Sequence, residues 1–118
     1  NHVYLTFDDG PIPELTPWVL DVLKDYNIQA TFFCVGDNIK KHPEIYQRIL
    51  SEHHAVGNHT FNHINGWEYT TDKYLKNVAL CEEEIKSANN SMLFRPPYGK
   101  LKKSQLKQLQ QHYSIILW

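Results

Sequence analysis

Short apolar runs alternate along this chain with longer stretches in which apolar side chains recur every three to four positions. The runs over 3–7, 30–35, 55–57, 92–94 and 114–118 have the lengths of strands buried on both faces. After the first run, Thr16 reads as an N-cap and Pro17 as the first helical residue. Trp18, Val19, Val22, Leu23 and Tyr26 follow at helical spacing, with Asn27 as the stop. Gly36 ends the second run, and Pro43 opens a helix with Ile45, Ile49 and Leu50 on its inner face. A long helix over 71–88 carries Tyr74, Val78, Cys81 and Ile85 on one stripe, and Leu106, Leu109 and Tyr113 mark another.

Strand–helix alternation predicts parallel strands with helices outside, in an open sheet or a barrel. In such folds chemistry collects at the C-terminal ends of the strands. Five strands are fewer than the roughly eight of a typical parallel barrel. The last residues read as a strand without a polar tail, so residues 1–118 are expected to be one domain continuing into a larger one. Composition is ordinary for a globular domain, with 42% hydrophobic and 21% charged residues. A net charge of -1 gives no reason to expect nucleic acid or an anionic membrane as partner. No apolar run approaches the ~20 residues of a membrane span. The start shows no signal-peptide pattern, as in a mature secreted protein whose leader has been removed. Cys34 and Cys81 are the only cysteines and are expected to be buried free thiols, which leaves the compartment open.

Candidate chemistry sits in three segments. Asp8 and Asp9 follow the first strand within Thr6-Phe7-Asp8-Asp9-Gly10-Pro11. Alone, that segment reads as a solvated turn. Neighbouring side chains at a strand end point apart, however, so one carboxylate can bind a cation while the other faces an arginine or water. His59 and His63 are four residues apart, the spacing of side chains on one face of a helical turn. With one carboxylate they make three ligands and leave open positions, which points to metal-assisted hydrolysis. Thr60 stands where a zinc-protease helix has its glutamate, so that motif is excluded. Seven histidines in 118 residues make a chance pair unsurprising. His2, His42, His53, His54 and His112 are expected to be mostly solvated. In Arg95-Pro96-Pro97-Tyr98-Gly99 two prolines stiffen the loop and Gly99 permits close backbone approach. Either this is a rigid turn, or Arg95 pairs with a carboxylate while the Tyr98 N–H faces a reacting carbonyl. An iron oxygenase also uses two histidines and a carboxylate, but it gives the second aspartate and the Arg-Pro-Pro loop no role.

In order and separation, these segments resemble the motifs of the polysaccharide deacetylases, the NodB-homology or family 4 carbohydrate esterases. The resemblance implies a distorted (β/α) barrel, incomplete at about five β/α units in this chain. It implies a hydrolase of non-peptide carbon–nitrogen bonds that removes acetyl groups from N-acetylated polysaccharides such as chitin or peptidoglycan. Some members act on O-acetylated sugars such as xylan. By resemblance, Asp9, His59 and His63 bind a divalent metal, zinc first, with cobalt, nickel and manganese as alternatives. Asp8 is then the general base, held ionised by Arg95. The Tyr98 backbone N–H stabilises the oxyanion, and Pro97 and Tyr98 contact the acetylated glycan. An extracellular or cell-envelope location is implied. Two further family motifs, an Asp/Trp segment and a late Leu-x-His supplying the general acid, do not occur within residues 1–118. A non-catalytic metal- or glycan-binding remnant is therefore the alternative, against which the pairing of Asp8 with Arg95 argues. Phe61, Trp67 and Tyr69 either line a sugar groove or belong to the core. Lys100, Lys102, Lys103 and Lys107 read as a solvated helix face.

Overall fold

The computed structural model describes residues 4–86 and 92–118. Five strands, β1 (Thr6–Asp8), β2 (Thr31–Cys34), β3 (Ala55–Asn58), β4 (Leu93–Phe94) and β5 (Ser114–Ile115), form one sheet in chain order. Every neighbouring pair is parallel. Asp8 lies opposite Phe33, Phe33 opposite Gly57, and Asn58 opposite Phe94. This register brings the ends of β1, β3 and β4 to one rim, so the residues that follow each strand meet there.

The helices are α1 (Leu15–Asp25), α2 (Gly36–Lys41), α3 (Pro43–Ser51), α4 (Thr71–Ile85) and α5 (Lys103–Leu109). The α4 stripe is as expected: Tyr74, Val78, Cys81 and Ile85 are all buried. Thr70 caps this helix, its hydroxyl accepting the Lys73 N–H at 3.3 Å. Residues 87 and 88, expected to be helical, lie outside the described residues. α1 departs from expectation at its start. It begins at Leu15, and Thr16 is buried with its hydroxyl accepting the Ile12 N–H at 2.8 Å. Thr16 thus ties back the loop that precedes it instead of capping. The inner face is Leu20 and Leu23, while Trp18 and Tyr26 are exposed. Asn27 does stop the helix, in the left-handed region at φ 53°. α2 is not legible in the apolar pattern because six residues are too few to show a period. In α3 Tyr46 is buried beside Ile49, with Ile45 and Leu50 only half-buried.

Two apolar clusters share α4. Cys81 and Ile85 join Leu20, Phe32, Ile49 and Val56 in the larger cluster. Tyr74 and Val78 join Ile64, Phe94 and Leu109 in the smaller. Phe61 packs against the larger one, so of its two readings the core applies. Cys34 and Cys81 are free and buried. Burial pushes both thiols up, Cys81 to about 12, so both stay protonated and act as packing groups.

His54 corrects the expectation of a solvated imidazole. It is buried, its Nδ1 accepts the Ala30 N–H at 3.0 Å, and its ring meets Phe32 edge-on. The acceptor role requires the neutral ring, and burial is the main cause that lowers its pKa. The folded state therefore takes up this proton less readily than the unfolded chain. Stability from His54 is complete above the ordinary imidazole pKa and is lost as pH falls through the depressed folded value. The urea midpoint should drop between about pH 7.5 and 5.5. His54→Asn, whose Oδ1 can take the place of Nδ1, should flatten that drop; an equally steep fall in the variant would exclude His54 as its source. His42, His53 and His112 are partly or fully exposed, and His2 lies outside the described residues. Among the described residues no helix is long and apolar enough to cross a membrane.

Candidate active site

The two adjacent carboxylates diverge. Asp8, still paired to β2, bonds through Oδ1 to Arg95 Nη1 at 2.9 Å. Asp9 turns into the left-handed region at φ 74°. Its N–H donates to the Phe33 carbonyl at 3.1 Å, and its own carbonyl accepts from Asn38 Nδ2 at 2.7 Å. These two bonds hold a backbone conformation that a non-glycine residue rarely adopts. The Asp9 carboxylate consequently reaches His59 Nε2 at 3.3 Å and His63 Nε2 at 3.1 Å through Oδ1.

The histidines do not meet on a helical turn, as their spacing suggested. Residues 59–63 form a loop with Thr60 at φ 63° and His63 at φ 55°. Polar groups from three sides mould it. The fully buried Asn58 accepts the Thr60 N–H at 2.9 Å and donates to the Val78 carbonyl at 2.9 Å. Asn77 of α4 accepts the N–H groups of Phe61 and Asn62 through one oxygen, each at 2.9 Å. The first N–H groups of α2, free of helical partners, donate from Gly36 and Asp37 to the Thr60 and Phe61 carbonyls. Gly36 is required for that approach, because an added Cβ would lie 2.6 Å from the Phe61 ring.

His59 is itself almost fully buried, and its Nδ1 faces the Arg95 carbonyl. The carbonyl can only accept, so Nδ1 carries the proton and Nε2 presents its lone pair toward Asp9 and His63. Burial is the largest cause lowering the His59 pKa, which keeps the ring neutral and able to donate to a metal. The ligand atoms of Asp9, His59 and His63 lie within 4.8 Å of one another. Two imidazole nitrogens and a carboxylate oxygen, with His63 and Asp9 partly open to solvent, fit a zinc-type cation that keeps free positions.

Arg95 is buried, and Nη1 also donates to Thr6 Oγ1 at 2.9 Å. Its guanidinium lies 4.4 Å from the centre of the Phe33 ring and 5.2 Å from that of Trp118. Asp8 is thus the counter-charge of a desolvated cation. Tyr98 sits at φ 64° with its ring on His63, centroids 4.9 Å apart. Its backbone N–H has no hydrogen-bond partner among the described residues, and Pro97 beside it is buried. All the residues picked out by motif therefore converge on one rim. Asn38, Asn58 and Asn77 escaped notice: asparagines have no period, and Asn38 lies on the unforeseen α2.

The grip of Asn77 can be measured. Asn77→Leu removes an acceptor shared by two N–H groups, and metal affinity should fall roughly 10–100-fold, as for outer partners of metal ligands. Asn77→Asp keeps the acceptor and should hold affinity near the parent value. Equal affinities for all three proteins would show that the loop does not need this clamp.

A sequence profile described as polysaccharide deacetylase matches residues 1–113, and the chain belongs to that family. A peptidoglycan-N-acetylglucosamine deacetylase of Bacillus cereus is 42% identical over 119 residues, covering 98% of this chain and 43% of the relative. A chitooligosaccharide deacetylase of Rhizobium leguminosarum bv. trifolii is 38% identical over 97 residues, covering 82% of this chain and 42% of the relative. The crystal structure of the Bc1960 peptidoglycan N-acetylglucosamine deacetylase superimposes with a TM-score of 0.93 at 41% identity. That match covers 99% of this chain and 56% of the other. The chain thus spans less than half the length of these curated relatives, and its α/β architecture with a parallel sheet is that of the family.

Proposed function

We propose that this chain carries the metal site and general base of a hydrolase that removes acetyl groups from N-acetylated glycans of the peptidoglycan or chitin type. Family membership and the names of the relatives support the reaction class, and they support a substrate at the cell envelope or outside the cell. The observation that carries the reading is the divergence of two consecutive carboxylates, one into two imidazoles and the other into a buried arginine. Asp9, His59 and His63 would hold a divalent cation, zinc by donor set, which when bound supplies Lewis-acid polarisation and a more acidic water.

The chain's own groups do the rest. Arg95 bonds to Asp8 through Oδ1, and Oδ2 has no other partner among the described residues. That oxygen takes the proton of the attacking water. The Tyr98 N–H, without a hydrogen-bond partner among the described residues, donates to the oxygen on which negative charge develops. Losing one such donor typically costs about 3–4 kcal/mol of transition-state stabilisation. Pro96 and Pro97 hold that N–H in place by restricting the backbone on its N-terminal side.

The test is acetate release from N-acetylglucosamine oligomers and from O-acetylated xylan, with metal analysis of the same protein. Release should favour the amide substrate, stop on chelation and return with zinc. Release that persists in chelator would remove the mechanism. Metal binding without release from either substrate would support a binding remnant.

A further inference from the structure

Behind the histidine loop lies a polar cluster that the proposed reaction does not use. Glu82 is half-buried near the end of α4 and forms no ion pair among the described residues. A carboxylate drawn out of water is costly unless its oxygens are bonded. Here one oxygen, Oε1, takes two neutral donors. Tyr113 donates its hydroxyl at 2.7 Å, and Asn58 donates through Nδ2 at 3.2 Å. Burial first, and the Glu82 bond second, push the Tyr113 hydroxyl up, so it stays protonated as a donor. Its ring lies against Phe94, centroids 5.8 Å apart, at the smaller apolar cluster.

Asn58 is where this cluster meets the site. It is fully buried at the end of β3, directly before His59. Its backbone carbonyl accepts the Arg95 N–H at 3.0 Å, and its Oδ1 accepts the Thr60 N–H at 2.9 Å. Thr60 stands between the two histidines in the left-handed region at φ 63°. A β-branched residue is a genuine outlier there, so its backbone has to be held from outside. The Asn58 amide can do this in one orientation only, with oxygen toward Thr60 and nitrogen away. Nδ2 faces the Val78 carbonyl at 2.9 Å and Glu82, both acceptors, and together they enforce that orientation. The Val78 carbonyl also serves the helical ladder of α4. Glu82 adds a charge-assisted acceptor, anchored in turn by Tyr113.

We infer that Glu82 is a positioning residue for the metal site: with Tyr113 it fixes the Asn58 amide, which holds Thr60 and so sets His59 against His63. The inference rests on the metal-ligand reading of Asp9, His59 and His63. It extends that site to α4 and to the residue before β5, neither of which supplies a ligand. Both act through Asn58. A loop already held in its binding shape needs no ordering when the ion arrives, and that difference appears as affinity. Were Glu82 only a packing group of α4, its loss would lower stability and leave the loop unchanged.

Two measurements test this: zinc affinity by competition with a chelating dye, and amide exchange of Thr60 in the metal-free protein. Glu82→Ala should weaken zinc binding about tenfold and speed Thr60 exchange by a similar factor. Glu82→Gln keeps an acceptor oxygen and should restore most of both. Tyr113→Phe should show a smaller loss in the same direction. Leu109→Ala removes packing from the same apolar cluster and should lower the melting temperature with zinc affinity near the parent value. Parent-like affinity and exchange in Glu82→Ala would overturn the inference. So would an alanine loss that glutamine does not rescue, or an equal loss of affinity in Leu109→Ala. A parent protein that binds no zinc, while Thr60 exchange still depends on Glu82, would sink the metal-ligand reading and keep the clamp. Zinc binding by a parent whose Thr60 exchange and affinity are indifferent to Glu82 would do the reverse.

Discussion

Asp8→Asn is expected to lower acetate release by about 10²–10⁴-fold, the contribution of a positioned general base. The substitution is nearly isosteric, and its Oδ1 can still accept the Arg95 Nη1 bond that Asp8 accepts at 2.9 Å. It removes the negative charge and the basic oxygen while leaving the Asp9, His59 and His63 group intact. Metal affinity should therefore stay close to that of the parent while turnover collapses. The separation is informative because Asp8 and Asp9 are adjacent in the chain yet face different partners. The unpaired charge left on buried Arg95 will also lower stability, since breaking a buried pair costs up to about 3–5 kcal/mol. Thermal unfolding must accompany the rates, so that a folded, metal-loaded and slow protein is distinguished from an unfolded one. A folded variant working at the parent rate would show that the base lies elsewhere.

His63→Ala should have the opposite profile. It deletes one of three donors, and the half-exposed ring can be removed with little disturbance of the core. Metal affinity, followed by competition with a chelating dye, should fall by more than the roughly 10–100-fold expected for an outer partner. Acetate release should fall with it and recover in part at high metal concentration, because Asp8 and the Tyr98 loop are still present. The Tyr98 ring rests on His63, so some of the lost rate will stay lost even when metal is restored. Parent-like affinity in this variant would show that the three side chains do not act as one site. Comparing Asp8→Asn with His63→Ala thus separates the duty of the base from that of the metal ligands.

The parallel α/β order was legible because its signals are local and repetitive. Strands buried on both faces read as continuous apolar runs, and the α4 stripe recurs at helical spacing from Tyr74 to Ile85. The three motifs were legible because each is contiguous and falls where a strand ends. Less legible was anything set by a single contact between distant segments. Thr16 has the identity of a cap, but the Ile12 amide claims its hydroxyl. His54 has no local mark of burial, and it becomes an acceptor only because Ala30 lies beside it. Phe61 and Trp67 are both aromatics near the histidine pair. Gly36 lets one into the core, while Gln105 holds the other's turn at the surface.

By itself the sequence singled out the residues proposed to carry the chemistry: two carboxylates, two imidazoles, a guanidinium and a proline-stiffened loop, in the order of a polysaccharide deacetylase. Types and intervals are enough for that, because ligand and base chemistry belong to side chains. Their arrangement was decided only by the tertiary structure. The histidine pair converges through left-handed residues clamped by Asn58, Asn77 and the first amides of α2, and not through helical geometry. Hydrogen bonds satisfied between segments far apart in the chain choose among backbone conformations that local propensity disfavours. A pattern of apolar and polar positions has no means of recording that choice.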